Sequence, residues 1–196
     1  ITMVGMAELL PHDTITMTDG KTPQVLADGN PTSSTAYREK ILQARNRNAV
    51  AIDYDSLKQM KSKELRSFTA GKEVIYIYHN RIDATGEAMK TENSVFDATD
   101  KAIEEVFGIV RTLSKSGNVY RFLITSDHGF IYTRRKLEET DKLENLAGKA
   151  AFTDRRFIIS DSRNDVDGVY SVSLGEALKN QDERWISLAK GMSVFK

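Results

Sequence analysis

The chain has 196 residues, 40% hydrophobic and 29% charged, a balance typical of a globular domain with its own core. Its 28 basic and 28 acidic residues cancel, which excludes the broad basic surface of a nucleic-acid-binding domain. The absence of cysteine excludes disulfides and thiolate metal sites, so any metal must bind through oxygen and nitrogen. No apolar stretch is long enough to span a bilayer, and a cysteine-free chain fits a reducing compartment. We therefore expect a cytoplasmic protein with no membrane partner.

Hydrophobic periodicity and turn residues predict alternating helices and strands. The expected elements are a helix at 3–10, two short strands within 13–26, a polar helix from Ser33 or Ser34 to about Asn46, a strand at 49–54, a weak helix at 56–70, a strand at 74–78, a long helix at 95–113, and strands at 120–126, 156–160 and 169–174.

The middle of the chain predicts the fold. The continuous apolar runs at 74–78 and 120–126 are typical of buried strands, and the helix between them makes a βαβ unit. Both strands should therefore be parallel and should end at the same edge of the sheet. We expect an α/β domain with a mostly parallel central sheet flanked by helices. An antiparallel pair, formed by 156–160 and 169–174, should be appended to that sheet.

The two ends of the sequence indicate a fragment. Ile1 is not an initiator methionine, and apolar periodicity begins at once. The last residues, 192–196, read like a strand that has been cut short. We interpret residues 1–196 as a single domain that is truncated at both ends.

Asp127 and His128 follow the predicted strand 120–126, with Gly129 directly after them. Carboxylate and imidazole are ligands of zinc and manganese, and open α/β sheets bind their ligands at strand ends. Gly129 can supply the unusual backbone torsion that turns both side chains toward one site. The alternative is an aspartate that caps a turn beside a packed histidine, and the triplet alone does not decide between them.

Two further candidates have ordinary explanations beside the functional one. Asp83 and Glu87 follow the strand at 74–78. They are either paired carboxylates that a cation neutralises or part of a solvated acidic loop. Thr2 precedes the first helix, where a hydroxyl is usually a cap but can also serve as a nucleophile.

Three separated motifs resemble a PglZ domain of the alkaline phosphatase-like superfamily. They are the opening run Ile1–His12, the run Val74–Glu87 with Asp83-Ala84-Thr85-Gly86-Glu87, and Ser126-Asp127-His128-Gly129. Full-length PglZ proteins are components of BREX and related phage-growth-limitation systems. The resemblance implies an alkaline phosphatase-like fold and, as partners, other proteins of a phage-defence system.

The resemblance also implies roles for individual residues. Asp127 and His128 correspond to ligands of one of two divalent metals, and Asp83 to a ligand of the other. Glu87 stands where the superfamily usually has histidine, so manganese or magnesium becomes an alternative to zinc. Thr2 falls at the position of the nucleophile. Further ligands of the superfamily, an upstream aspartate and a downstream histidine, are expected outside the chain.

The implied reaction is two-metal phosphoryl transfer, which makes the intact protein a metal-dependent hydrolase of phosphate esters. A nucleotide or a nucleic-acid linkage is the expected substrate class. The alternative is a non-catalytic scaffold or regulatory module of the defence complex, with a degenerate metal site.

Overall fold

A computed structural model describes the protein over residues 2–20, 22–86, 94–132, 137–144 and 150–195. The helices in those ranges are α1 (Thr2–Glu8), α2 (Thr35–Arg45), α3 (Tyr54–Lys58), α4 (Ser62–Thr69), α5 (Arg81–Gly86), α6 (Val95–Ser116) and α7 (Leu174–Leu178). The strands are β1 (Ile15–Met17), β2 (Val25–Ala27), β3 (Asn30–Pro31), β4 (Ala49–Asp53), β5 (Val74–Tyr78), β6 (Lys142–Leu143), β7 (Ala150–Thr153), β8 (Phe157–Ser160), β9 (Val169–Ser173), β10 (Trp185–Ala189) and β11 (Val194–Phe195).

The chain forms two compact units. The first unit comprises Ile1–Ser33 together with Ser126–Lys196, and the second comprises Ser34–Thr125. The mixed α/β class agrees with the prediction. The described parallel strands, however, form two pairs, β4–β5 and β6–β11, whereas the three- and four-stranded sheets are antiparallel. A mostly parallel central sheet is therefore not found in the described ranges.

The first unit is built around its antiparallel sheets. The order of the smaller sheet is β1-β2-β3, and that of the larger is β7-β8-β10-β9. One hydrophobic core joins them with α1 and α7, and its buried side chains are Ala7, Ile15, Met17, Val25, Phe157, Ile159, Leu174 and Leu178. The core fixes α1 against the sheets because burial of its apolar face is the main driving force for docking a helix this short.

The second unit packs helices against the parallel pair β4–β5. Its core contains Ile52 of β4, Leu57 of α3, Leu65 of α4 and Leu113 of α6. The prediction of a long amphipathic helix is confirmed by α6. The predicted serine cap is also confirmed, since the Tyr37 backbone N–H donates to the Ser34 hydroxyl at 3.2 Å.

The prediction of a buried strand at Tyr120–Ser126 is wrong. None of these residues lies in a strand, and Leu123 and Ile124 are 91% and 67% exposed. An apolar run becomes a strand only when a neighbour supplies the ladder hydrogen bonds, and no strand in the described ranges pairs with this one. The predicted βαβ unit is thus incomplete in the described ranges.

The antiparallel pair at 156–160 and 169–174 is only partly correct. Both segments are strands of one antiparallel sheet, β8 and β9, but β10 lies between them. No strand was predicted at β10, because Ser187 interrupts its apolar pattern. Ser187 is fully buried and contacts Asn164 at 3.1 Å and Ser171 at 2.9 Å, so hydrogen bonds rather than apolar packing accommodate it.

Candidate metal centre

Helix α1 positions the hydroxyl of Thr2. Thr2 is the first residue of this helix, and Ala7, near its other end, is completely buried in the core of the first unit. Val4 packs against the same core. The apolar face of α1 therefore holds the helix in place, and Thr2 is presented at its beginning.

Gly5 lets α1 approach Asp127 more closely than another residue would. A Cβ atom at Gly5 would lie 2.3 Å from the carbonyl oxygen of Asp127 and 2.9 Å from its carbonyl carbon. Both are backbone atoms, which cannot rotate away. Sequence reasoning missed this role, because a glycine inside a predicted helix has no local signal that distinguishes close packing from a weak helix position.

His128 links Thr2 to the residues after Ser126. Its Nδ1 lies 2.8 Å from the carbonyl oxygen of Gly129, which can only accept, so Nδ1 carries a proton and donates it. In the neutral ring Nε2 then has a lone pair, and the Thr2 hydroxyl, 2.8 Å away, donates to it. The sequence had predicted a torsional role for Gly129, but its φ is not positive. Gly129 contributes its carbonyl, which fixes the tautomer.

Asp127 places a carboxylate oxygen beside Nε2 of His128. Its Oδ2 lies 3.4 Å from Nε2 of His128, and the side chain is only 14% exposed. This oxygen is buried and accepts no hydrogen bond from the described residues. A buried carboxylate oxygen without a donor is costly unless a cation neutralises it.

The donor set fits a divalent metal. A carboxylate oxygen and an imidazole nitrogen, both ligand types of zinc and manganese, converge with the Thr2 hydroxyl within the first unit. The contact of the His128 Nδ1 with a backbone carbonyl is the usual arrangement that orients a metal-bound histidine. The orphaned Oδ2 of Asp127 is the observation that favours a metal over a capped turn.

The remaining predicted ligands have different outcomes. Asp83 lies in the first turn of α5, in the second unit, and its side chain is half-buried. Glu87 lies outside the described residues. Within the first unit, the structure brings together Thr2, Asp127 and His128.

No described helix combines the length and the apolar character that crossing a membrane requires.

The comparisons with known proteins define the class of domain. The family described as the BREX system PglZ alkaline phosphatase-like domain matches residues 1–196, so the chain belongs to the PglZ family. No solved structure matched the chain.

Two curated relatives are similar to almost the whole chain. The chain is 34% identical over 194 residues to the alkaline phosphatase-like protein PglZ of Bacillus cereus (strain H3081.97). It is 31% identical over 196 residues to the alkaline phosphatase-like protein BrxZ of Escherichia coli O9:H4 (strain HS). Each alignment covers 99% of this chain but 22% of the relative. The chain thus spans about a fifth of the length of these relatives.

Proposed function

We propose that the chain is part of a metal-dependent hydrolase of phosphate esters that acts in a BREX defence system, with Thr2 as the nucleophile. The observation that carries the proposal is the buried, orphaned Oδ2 of Asp127 beside Nε2 of His128 and the Thr2 hydroxyl. Membership of the alkaline phosphatase-like PglZ family supports the same reaction class. Nucleotides or nucleic-acid linkages are the substrates we propose, and other BREX proteins are the partners.

In this proposal Asp127 and His128 hold one divalent ion, and Asp83 and Glu87 contribute to a second. When bound, such ions supply Lewis-acid stabilisation of the charge that develops on phosphoryl oxygens. Zinc suits the imidazole of His128, whereas the carboxylates suit manganese or magnesium equally well.

The residues of the chain have separate tasks. Oγ1 of Thr2 gives up its proton to solvent and forms a bond to phosphorus while the ester P–O bond breaks; the leaving oxygen takes the electron pair and a proton from water. Water then cleaves the phosphothreonine and restores the hydroxyl. Helix α1 holds Oγ1 in position, and the Gly129 carbonyl keeps Nδ1 of His128 protonated, so that Nε2 faces Thr2.

A direct Thr–His mechanism without metal fits the geometry less well. In such a mechanism a carboxylate orients the histidine by accepting from the nitrogen that does not face the nucleophile. Asp127 instead lies against Nε2, the nitrogen that faces Thr2, while Nδ1 is bound by a backbone carbonyl. The carboxylate of Asp127 is therefore placed as a ligand rather than as the third member of a triad.

The test is hydrolysis of a chromogenic phosphodiester by the full-length protein in the presence of zinc or manganese. Asp127→Ala and Thr2→Val should each abolish the metal-dependent rate, because one removes a ligand and the other the nucleophilic oxygen. Thr2→Ser is the matched control, since it keeps a hydroxyl at the same position. Metal-dependent activity that survives Asp127→Ala would refute the assignment.

A second candidate is a scaffold of the defence complex without catalysis. The observation that favours it is Glu87, which stands where the superfamily usually has histidine. Elemental analysis of the full-length protein separates the two, because a scaffold with a degenerate site retains no stoichiometric metal after exposure to zinc or manganese, whereas the hydrolase does.

A further inference from the structure

The turn that carries Asp83 is short and follows β5 directly. His79 and Asn80 connect this strand to α5, and the Ala84 N–H donates to the Asn80 carbonyl at 3.1 Å to begin the helix. Helix α5 has only six residues, too few to hold its own geometry in water. The orientation of Asp83 therefore depends on what fixes the turn from outside.

The carboxylate of Glu105, in α6, contacts the residues on both sides of Asn80 in this turn. Glu105 accepts from Nε of Arg81 at 2.7 Å with one oxygen and from Nη2 at 2.5 Å with the other. The oxygen that accepts from Nε also lies 2.7 Å from Nε2 of His79. The side chains of Glu105 and His79 are only 16% and 14% exposed. Because two N–H groups of Arg81 donate to the two oxygens of Glu105, the pair fixes the relative orientation of the two side chains as well as their separation.

Two neighbours reinforce this arrangement. The ring of Tyr54 lies 4.8 Å from the ring of His79, centroid to centroid, and Nζ of Lys58 lies 3.7 Å from Glu105. The hydrogen bonds from Arg81 lower the pKa of the Glu105 carboxyl to about 2, so the acceptor is ionised at neutral pH. Glu105 is thus an ionised carboxylate that lies between the cationic side chains of Arg81 and Lys58.

We propose that Glu105 is a positioning residue that fixes the turn from β5 to α5 and thereby aims Asp83 at its metal. This inference rests on the proposed function, in which Asp83 is a ligand. Residues that orient ligands contribute about 10- to 100-fold to metal affinity. Because Glu105 acts through the backbone of the turn, we expect about tenfold, the lower end of that range.

The experiment is a Co²⁺ titration of the full-length protein, followed by its visible absorption and carried out well below the unfolding temperature. Glu105→Gln should raise the Kd about tenfold and change the absorption band. Glu104→Gln is the matched control, because Glu104 is the adjacent exposed residue of α6. It should leave the Kd and the band unchanged. Asp83→Ala should weaken binding more than Glu105→Gln does.

The outcomes separate the two proposals. Wild-type protein that binds no Co²⁺ overturns the proposed function and this inference with it. Wild-type binding that Asp83→Ala weakens but Glu105→Gln leaves unchanged overturns the inference alone. If Glu105→Gln does not fold, Arg81→Lys decides, because lysine keeps the charge and loses the fork. A several-fold rise in Kd for Arg81→Lys supports the inference, and an unchanged Kd overturns it.

Discussion

Replacing Gly5 with alanine should disrupt the site through one misplaced methyl group. The new Cβ would lie 2.3 Å from the carbonyl oxygen of Asp127, whereas ordinary contact begins near 3.4 Å. Helix α1 and the Asp127 backbone must therefore separate by roughly 1 Å. The hydrogen bond from Thr2 to His128, now 2.8 Å long, would be stretched beyond hydrogen-bonding range.

The same substitution at Gly108 is the control for Gly5→Ala, because it should change stability in the opposite direction. Overpacking costs about 1–3 kcal/mol, which exceeds the gain of about 1 kcal/mol when alanine replaces glycine in a helix. Gly108, in the exposed middle of α6, has nothing within 4 Å of its added Cβ, so Gly108→Ala should stabilise by about 1 kcal/mol. A displacement of about 1 Å at a nucleophile can reduce the rate about 100-fold.

Thermal unfolding of the full-length protein and its phosphodiesterase rate measure both effects. We expect Gly5→Ala to lower the Tm and the rate, and Gly108→Ala to raise the Tm without changing the rate. If Gly5→Ala raises the Tm as Gly108→Ala does, the close approach of α1 to Asp127 does not exist and the reasoning is refuted.

Three further predictions concern stability. Arg184→Lys should lower the Tm by roughly 2–4 °C, about 1 kcal/mol. Lysine cannot reproduce the hydrogen bond from Nη2 of Arg184 to the Met17 carbonyl together with the two hydrogen bonds of the guanidinium to the Asp182 carboxylate. Arg66→Lys is the control, because Arg66 is exposed on α4, and it should leave the Tm unchanged. The hydrogen-bonded guanidinium beside Glu105 lowers the pKa of that carboxyl from 4.5 to about 2, so its stabilisation is complete above pH 4.5 and is lost as the pH falls toward 2. The Tm difference between wild type and Glu105→Gln should be constant above pH 5 and shrink below pH 4.5; a difference that persists at pH 2 contradicts this. Finally, zinc or manganese at 100 times its Kd should stabilise the wild type by about 2.7 kcal/mol, a shift that chelation and Asp127→Asn both abolish; an equal shift in the variant would exclude Asp127 as a ligand.

The sequence was most informative where structure depends on neighbours along the chain. The spacing of apolar residues in α6 predicted the longest helix, and Ser34 was one of two serines identified as a cap. Both features arise within a few residues, so a local pattern is sufficient to predict them. The strands were harder, because a strand such as β10 is defined by its partners, and its buried Ser187 is tolerated only where Asn164 and Ser171 meet it.

The chemistry of the candidate centre was readable from the sequence, but its geometry was not. Asp127 and His128 are potential metal ligands by residue type alone, and Thr2 was a candidate cap or nucleophile from its position before the first predicted helix. Only the packing of α1 onto the core showed that Thr2 reaches His128 across 126 positions of sequence, and that Gly5 permits the approach. The hydrogen bonds between Glu105 of α6 and the turn before Asp83 are likewise tertiary contacts. Local propensities determine the helices and their caps, whereas the strands and the contacts that orient a site depend on how distant elements pack, and no short sequence window contains that information.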